Sequence, residues 1–402
     1  MAGLLPVDEA LARVLDGVGP LAAEVVDLSQ AAGRVLAADV VARRPQPPFA
    51  ASAMDGYAVR AADLARVPAR LAVIGESAAG HGFDGRLGAG EAVRIFTGAP
   101  VPEGADAILI QEDAVLRDDG AIEAVETVPP GRHIRRAGLD FEAGDRLLPA
   151  GRALDAVALS LAAAANQALV SVVRRPLVAI LATGAELVAA GAEPLPEQII
   201  ASSGIGIAAL VRDAGGTVLD LGIEPDDLPR IRAAIRRARD AGADVIVTLG
   251  GASVGDHDLV GKALADERMT PGFWKVAMRP GKPLMSGRFG ETRVLGLPGN
   301  PVSSLVCGHL FLKPLVAALA GLPLAAELHE AVLGEAMPAN DHRQDYVRAS
   351  VARQDGTLVA RPFPVQDSSM LRTLAAANAL IVRPPHAPPA TIGDRCRVML
   401  LR

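Results

Sequence analysis

Val178-Ala179-Ile180-Leu181-Ala182-Thr183-Gly184-Ala185-Glu186 is an apolar run that stops abruptly at a hydroxyl, a glycine and a carboxylate. A short apolar run bounded by turn residues reads as a strand buried on both faces. Two more follow in the same manner: Thr217 to Ile223 runs into Glu224-Pro225-Asp226-Asp227, and Asp244 to Leu249 runs into the glycine-rich stretch Gly250 to Asp258. A fourth, Val294 to Leu297, meets Pro298-Gly299-Asn300-Pro301. Between them, Ile205 to Ala214 and Leu228 to Ala241 have helical periodicity, the second with arginines on its outer side. Strands alternating with helices predict a parallel α/β sheet with right-handed crossovers.

On the N-terminal side, a helix is expected near Val7 to Leu15, a strand over Glu24 to Leu28, and a valine- and alanine-rich stretch over Arg34 to Ala42. Pro45, Pro47 and Pro48 mark a boundary. Beyond it, Leu71 to Ile74, Ala92 to Phe96 and Ala107 to Ile110 read as short strands between glycine turns, so residues 46–146 are expected to be mostly β. Leu154 to Val173 approaches membrane-spanning length, but Asp155, Asn166 and Gln167 interrupt it. It reads as a buried helix capped by Asp155, followed by a strand over Val170 to Val173. After Pro323 the pattern returns to alternating strands, which predicts a small β domain.

Composition narrows the function. A chain of 402 residues suggests two to four domains, and 50% hydrophobic with 21% charged residues fits a globular protein. A net charge of -6 argues against nucleic acid or an anionic membrane surface as partner, because both need a broad basic face. Aromatic residues at 3% leave little for a base-stacking platform. Cys307 and Cys396 are the two cysteines, too few and too far apart for a disulfide framework or zinc site. The first ten residues carry Asp8 and Glu9 where a signal peptide would be basic, then apolar. A cytoplasmic protein is expected.

In an open α/β sheet the ligand crevice lies outside the carboxyl ends of the strands. The loops there hold Thr183, Glu186, Asp226, Gly250, Gly251, Ser253, Asp258, Pro298, Asn300 and Pro301. The last loop leads into a helix whose free N–H groups suit a phosphate or oxyanion. Each loop also has a plainer explanation: Gly250-Gly251 as a turn, Asp226-Asp227 as a helix cap, Pro-Gly-Asn-Pro as a tight turn. Lys275, Arg279 and Lys282 form a separate cationic group. Period-two spacing would put Lys275 and Arg279 on one face of a strand, where they would either be surface cations or hold an anion.

These loops, in this order, resemble the molybdopterin molybdenumtransferase family, which includes MoeA and the E domain of gephyrin. The resemblance rests on Ser52-Ala53-Met54-Asp55-Gly56-Tyr57-Ala58-Val59, Thr97-Gly98-Ala99, Gly104-Ala105-Asp106-Ala107, Gly250-Gly251 with Ser253 to Asp258, Pro280-Gly281-Lys282-Pro283 and Gly296 to Ser303. It implies an α/β plus β multidomain chain with a parallel α/β molybdopterin-binding domain, a mostly β second domain and a C-terminal β barrel. The implied divisions are a linking domain I over 27–45 and 147–176, domain II over 46–146, domain III over 7–26 and 177–325, and domain IV over 326–402.

The resemblance also implies a reaction: molybdate is inserted into adenylated molybdopterin with Mg²⁺, and AMP leaves with the finished cofactor. Glu186, Asp226 and Asp258 would organise the metal, pterin or nucleotide. Lys275, Arg279 and Lys282 would hold molybdate or phosphate oxygens. Asp55, Thr97, Arg135 and Asp140 would border the cleft from domain II. Ser368 would come from the C-terminal domain, in a homodimer whose cleft lies at the subunit interface. The adenylating enzyme and recipient molybdoenzymes are the protein partners implied. The chain departs from the family pattern at Ala185, Ala201, Ser203 and Leu139, where polar residues are usual. Those departures keep open an alternative, a catalytically weak paralogue that binds, stores or delivers molybdopterin.

Overall fold

The computed structural model describes residues 4–250, 259–323 and 328–401. They fall into two units, one of residues 25–172 and the other of the flanking chain. In the flanking unit the apolar runs become a six-stranded sheet in the order Thr217–Glu224, Leu177–Thr183, Val245–Leu249, Thr292–Leu297, Met285–Phe289, Thr270–Phe273. The first four strands are parallel. Met285–Phe289 then turns back antiparallel to both of its neighbours, an addition to the parallel core.

Continuous apolarity is needed because both faces of this sheet are covered. Ile180, Val247 and Leu297 face the helices Val7–Leu15 and Ser203–Asp213 and the long helix from Pro301. Leu181, Ile246 and Val294 face Leu228–Asp240 and Leu259–Asp266. Leu181 and Ile246 are fully buried, and each such side chain contributes about 1.5–3 kcal/mol by leaving water. Leu228–Asp240 starts where Asp227 accepts the Arg230 N–H at 2.9 Å. It buries Ile231, Ala234, Ile235 and Ala238, the spacing of one helical face. The plain reading of Asp227 as a helix cap therefore holds.

Pro301–Leu319 is apolar and long enough to cross a membrane, with mean hydropathy 1.7, but 78% of it is buried in this unit. It is a core helix. His309 sits in its π turn, where burial and nearby Lys313 push the imidazole down to about 4. The unfolded chain therefore binds a proton between about pH 6.5 and 4 that the folded chain refuses. The neutral-imidazole stability is fully present above pH 6.5 and is lost as pH falls toward 4. Urea unfolding should show about 2 kcal/mol less stability at pH 5 than at pH 7 from this group. His309→Gln should lack that component; an identical pH difference in the variant would rule His309 out as its source.

The C-terminal strands close a five-stranded barrel: Leu328–Leu333, Thr357–Pro362, Gln344–Gln354, Ala379–Arg383 and Arg395–Leu400, the last returning to the first. Leu333, Val347, Ala349, Ile381 and Val398 fill it. On the outer face Tyr346, Leu380, Val382 and Met399 enter the same apolar cluster as the α/β helices.

Residues 25–172 build a second six-stranded sheet in the order Ala107–Ile110, Gly56–Val59, Glu91–Ile95, Ala69–Ser77, Ile122–Ala124, Ala114–Leu116. Gly56 lies between two neighbours, paired with Ile95 and Ile110. Asp155 caps Ala156–Ala164 by accepting the Ala158 N–H at 2.8 Å, and the strand Leu169–Val173 follows. The expectation of a buried helix needs correction. Only Ala158 and Ala162 are buried, and Val157 is 75% exposed, because the helix covers its own small core on one side alone.

Candidate active site

The carboxyl ends of the parallel strands frame a cleft of about 740 Å³. Thr183, Glu186, Asp226, Gly250, Pro298, Asn300 and Pro301 all line it, so seven of the residues singled out in the sequence meet in one place. Gly251, Ser253 and Asp258 lie outside the described residues.

Backbone requirements explain the glycines. Gly250 has φ +93°, and a Cβ there would lie 2.8 Å from the Thr183 carbonyl oxygen and 3.3 Å from its hydroxyl. Only glycine lets the two strand ends approach this closely. At Gly184 a Cβ would come within 2.6 Å of a Glu186 carboxylate oxygen, so the missing side chain makes room for that carboxylate. Asp226 accepts a long hydrogen bond from the Ala185 N–H at 3.4 Å. Glu186 and Asp226 are both exposed and both face the cleft.

The opposite wall is the turn before the long helix. Ser304 donates to the Pro298 carbonyl oxygen at 2.6 Å and its N–H donates to that of Asn300 at 2.9 Å, which fixes the turn. Asn300 Nδ2 donates to Ser368 Oγ at 3.0 Å, and the Val302 N–H donates to the Ser368 carbonyl oxygen at 3.2 Å. Ser368 thus meets the α/β domain of its own chain. Its neighbour Ser369 lines the cleft, held by its hydroxyl donating to Asp367 at 2.6 Å.

The cations are arranged differently from the expectation. Lys275 and Arg279 do not share a strand: Thr270–Phe273 ends first, and Met278–Arg279 is a separate two-residue strand paired with the barrel. Two interactions bend the chain between them. Leu5 bonds to the backbone of Lys275 and Ala277, and the Val276 N–H donates back to the Lys282 carbonyl oxygen at 3.0 Å. Arg279 is paired with Asp345 and lies 3.6 Å from Asp341. The Asp345 hydrogen bond raises the arginine's pKa, and Arg343 holds the Asp341 carboxyl well below the usual range. Lys275 is half-buried, and Lys282 is exposed beside Pro283, which lines the cleft.

In the other unit Asp55 accepts from Thr97 twice, from its N–H at 2.7 Å and its hydroxyl at 2.8 Å, and these bonds lower the Asp55 pKa. Arg135 and Asp140 line a separate cleft of about 450 Å³ with Gly98 and Leu139. Of the cleft serines, Ser303 lay in the quoted stretch Gly296 to Ser303 and Ser203 among the departures without being chosen as site residues, and Ser202 and Ser369 were not chosen either, although Ser369 adjoins the chosen Ser368. Small polar residues in loops and at helix starts carry no periodic signal. Among the described residues no group of three His, Cys, Asp or Glu side chains is placed to hold a metal ion.

Fold and site together define a multidomain α/β protein with its ligand cleft at the carboxyl ends of parallel strands. Family models match nearly the whole chain: the MoeA N-terminal region (domain I and II) over residues 5–166, a "Probable molybdopterin binding domain" over 179–318, and the MoeA C-terminal region (domain IV) over 330–401. Molybdopterin molybdenumtransferase 2 of Mycobacterium tuberculosis (strain CDC 1551 / Oshkosh) is 38% identical over 386 residues, covering 93% of this chain and 94% of its own. Molybdopterin molybdenumtransferase of Bacillus subtilis (strain 168) is 35% identical and covers 99% and 94%. The solved structure of a molybdopterin biosynthesis moea protein from Pyrococcus horikosii is similar with TM-score 0.83, at 30% identity and 100% coverage of both chains. The chain belongs to the molybdopterin molybdenumtransferase family.

Proposed function

We propose that this protein is a cytoplasmic transferase of molybdenum cofactor biosynthesis that inserts molybdate into adenylated molybdopterin and releases AMP. The observation that carries the reading is the cleft in which Glu186 and Asp226 face the Pro298-Gly299-Asn300-Pro301 turn at the start of a long helix. One wall offers hard carboxylate oxygens, which are the ligands Mg²⁺ takes. The other offers the positive end of a helix and the Ser303 side chain, which suit phosphate and oxyanion groups; Pro301 has no N–H and those of Val302 and Ser304 are already bonded.

Breaking a phosphoanhydride requires charge neutralisation and positioning more than covalent chemistry. Glu186 and Asp226, with Asp258, would hold Mg²⁺, which when bound neutralises phosphate charge. Thr183, Gly250 and Asn300 orient the substrate through hydroxyl, backbone and amide groups. Lys282 stands beside the cleft as a cation for molybdate or phosphate; Lys275, which does not line the cleft, is linked to it by the backbone bond from Val276 to Lys282. Arg279 would have to exchange Asp345 for a ligand to take part. The chain divides into a linking domain I, a domain II with Asp55, Thr97, Arg135 and Asp140 as further ligand-binding residues, an α/β domain III and a barrel domain IV.

We read the protein as a homodimer. The exposed apolar side of Ala156–Ala164, with Val157 outermost, supports this. The adenylating enzyme and recipient molybdoenzymes remain the proposed protein partners. The second reading, a weak paralogue that binds or delivers the pterin, is favoured by Ala201 in the cleft wall and Ala185 beside Asp226.

The deciding experiment mixes purified protein, adenylated molybdopterin, molybdate and Mg²⁺ and follows AMP. Molybdate-dependent AMP release supports the transferase; tight pterin binding without AMP release supports the paralogue. In the same assay Lys275→Ala should lower molybdate-dependent turnover by roughly tenfold or more if its half-buried ammonium reaches the dianion, a charge that alanine does not replace. Unchanged turnover with an unchanged molybdate requirement would leave Lys275 as a structural lysine.

A further inference from the structure

The arginines of Leu228–Asp240 do more than coat a solvent-facing helix. Arg232, Arg236 and Arg239 lie along one stripe and converge on a single carboxylate, Glu267, which is only 8% exposed. Glu267 accepts from Arg232 Nε at 2.8 Å and from Arg236 Nε at 3.0 Å and Nη2 at 2.8 Å, and these bonds pull its carboxyl down to about 2. Arg239 lies over the Phe289 ring, 4.8 Å from its centre. With Arg268, Asp266 and Gly290 these residues line a groove of about 540 Å³.

We propose that this groove is a second anion site, built for a phosphoryl dianion of pyrophosphate or phosphomonoester size. One ion pair would suffice to tie the helix to the segment after Leu259–Asp266. Four guanidiniums instead face two lining carboxylates, with Asp240 at the margin, in a chain where acidic residues outnumber basic ones. Glu267, and Asp266 at 3.8 Å from Arg232, offset part of this charge and leave cations in excess, which a bound anion would relieve. Glu267 spends one or two of the five N–H donors on Arg232 and Arg236, and it fixes both planes. The remaining donors are thereby preorganised for planar, bidentate recognition of phosphoryl oxygens. Phe289 gives the groove an apolar wall.

This groove is distinct from the substrate cleft. Phe289 and Gly290 lie at the turn that starts Thr292–Leu297, whereas the cleft begins where that strand ends, at Pro298. A strand of that length spans about 20 Å.

The test is calorimetric titration of the full chain with inorganic pyrophosphate in magnesium-free buffer. A double variant, Arg239→Ala with Arg268→Ala, leaves the Arg232 and Arg236 bonds to Glu267 in place. It should bind pyrophosphate about 10- to 100-fold more weakly. Arg268→Glu alone, at an exposed position, should weaken binding in the same direction and guards against misfolding of the double variant. Lys275→Ala with Lys282→Ala, which alters the cleft side, can remove only a separate cleft component of the isotherm and should leave the component lost in the arginine variants in place. The proposal is overturned if pyrophosphate shows no saturable binding, if it binds no better than sulfate, or if the lysine pair rather than the arginines governs it.

Discussion

Asp226→Asn and Glu186→Gln are each expected to lower kcat/KM for molybdenum insertion by on the order of a hundredfold while leaving the fold intact. The two carboxylates share one cleft and carry the charge that a hard cation needs. An amide keeps the shape and removes the charge. Losing one charge-assisted interaction costs about 1.5–3 kcal/mol, so a tenfold to hundredfold loss follows from a single contact, with more if the cation itself is released. Both side chains are exposed, so the unfolding free energy should change by less than about 0.5 kcal/mol. Raising Mg²⁺ should partly restore each variant, a response that a purely structural carboxylate would not show. Full activity in either amide variant at low Mg²⁺ would remove that residue from the metal-binding role.

Gly56→Ala is expected to be the most damaging small substitution in residues 25–172. A Cβ at Gly56 would lie 2.0 Å from the Leu109 carbonyl oxygen and 2.9 Å from the Ile110 Cα. Both obstacles are backbone of a paired strand, so no rotamer change relieves the clash. The strand must separate from its neighbour or twist away. Adding one methyl to a packed core costs about 1–3 kcal/mol where side chains can move. Against backbone a loss of about 4 kcal/mol or more is expected, a large fraction of a typical domain's stability. Hydrogen exchange on the full chain is the measurement. Amides of Tyr57–Val59 and Ala107–Ile110 should lose protection while those of Val178–Leu181 keep theirs. Equal protection at all three places would mean that the sheet absorbs the methyl.

The sequence made some of this legible because burial writes itself into composition. Val178–Leu181 and Val245–Leu249 are buried on both faces, so both faces had to be apolar, and the strands could be read without any partner in view. Asp155 and Asp227 were legible as caps because a helix start is a local event. The run from Phe273 to Arg279 was not. Its path is set by Leu5, some 270 residues earlier, and by a bond to Lys282, and alternation of side chains along the run carries no trace of either. Arg279 shows the same limit in charge. Its neighbours in sequence suggest a free cation, whereas its neighbours in space are Asp345 and Asp341 from the barrel. The strand ends announced the cleft's carboxylates and glycines, but its serines gave no such sign.

The barrel strands turn Val347, Ala349 and Ile381 inward and Tyr346, Leu380 and Val382 outward, into the apolar cluster beneath the long helix. The C-terminal segment therefore closes its own barrel but is not independent in thermodynamic terms. A gene split near residue 326 would leave each product with an oily, unfinished face, and neither half would be at rest in water without the other. Shuffling of this segment among relatives is constrained accordingly: a donor barrel has to bring matching outward residues along with its own interior.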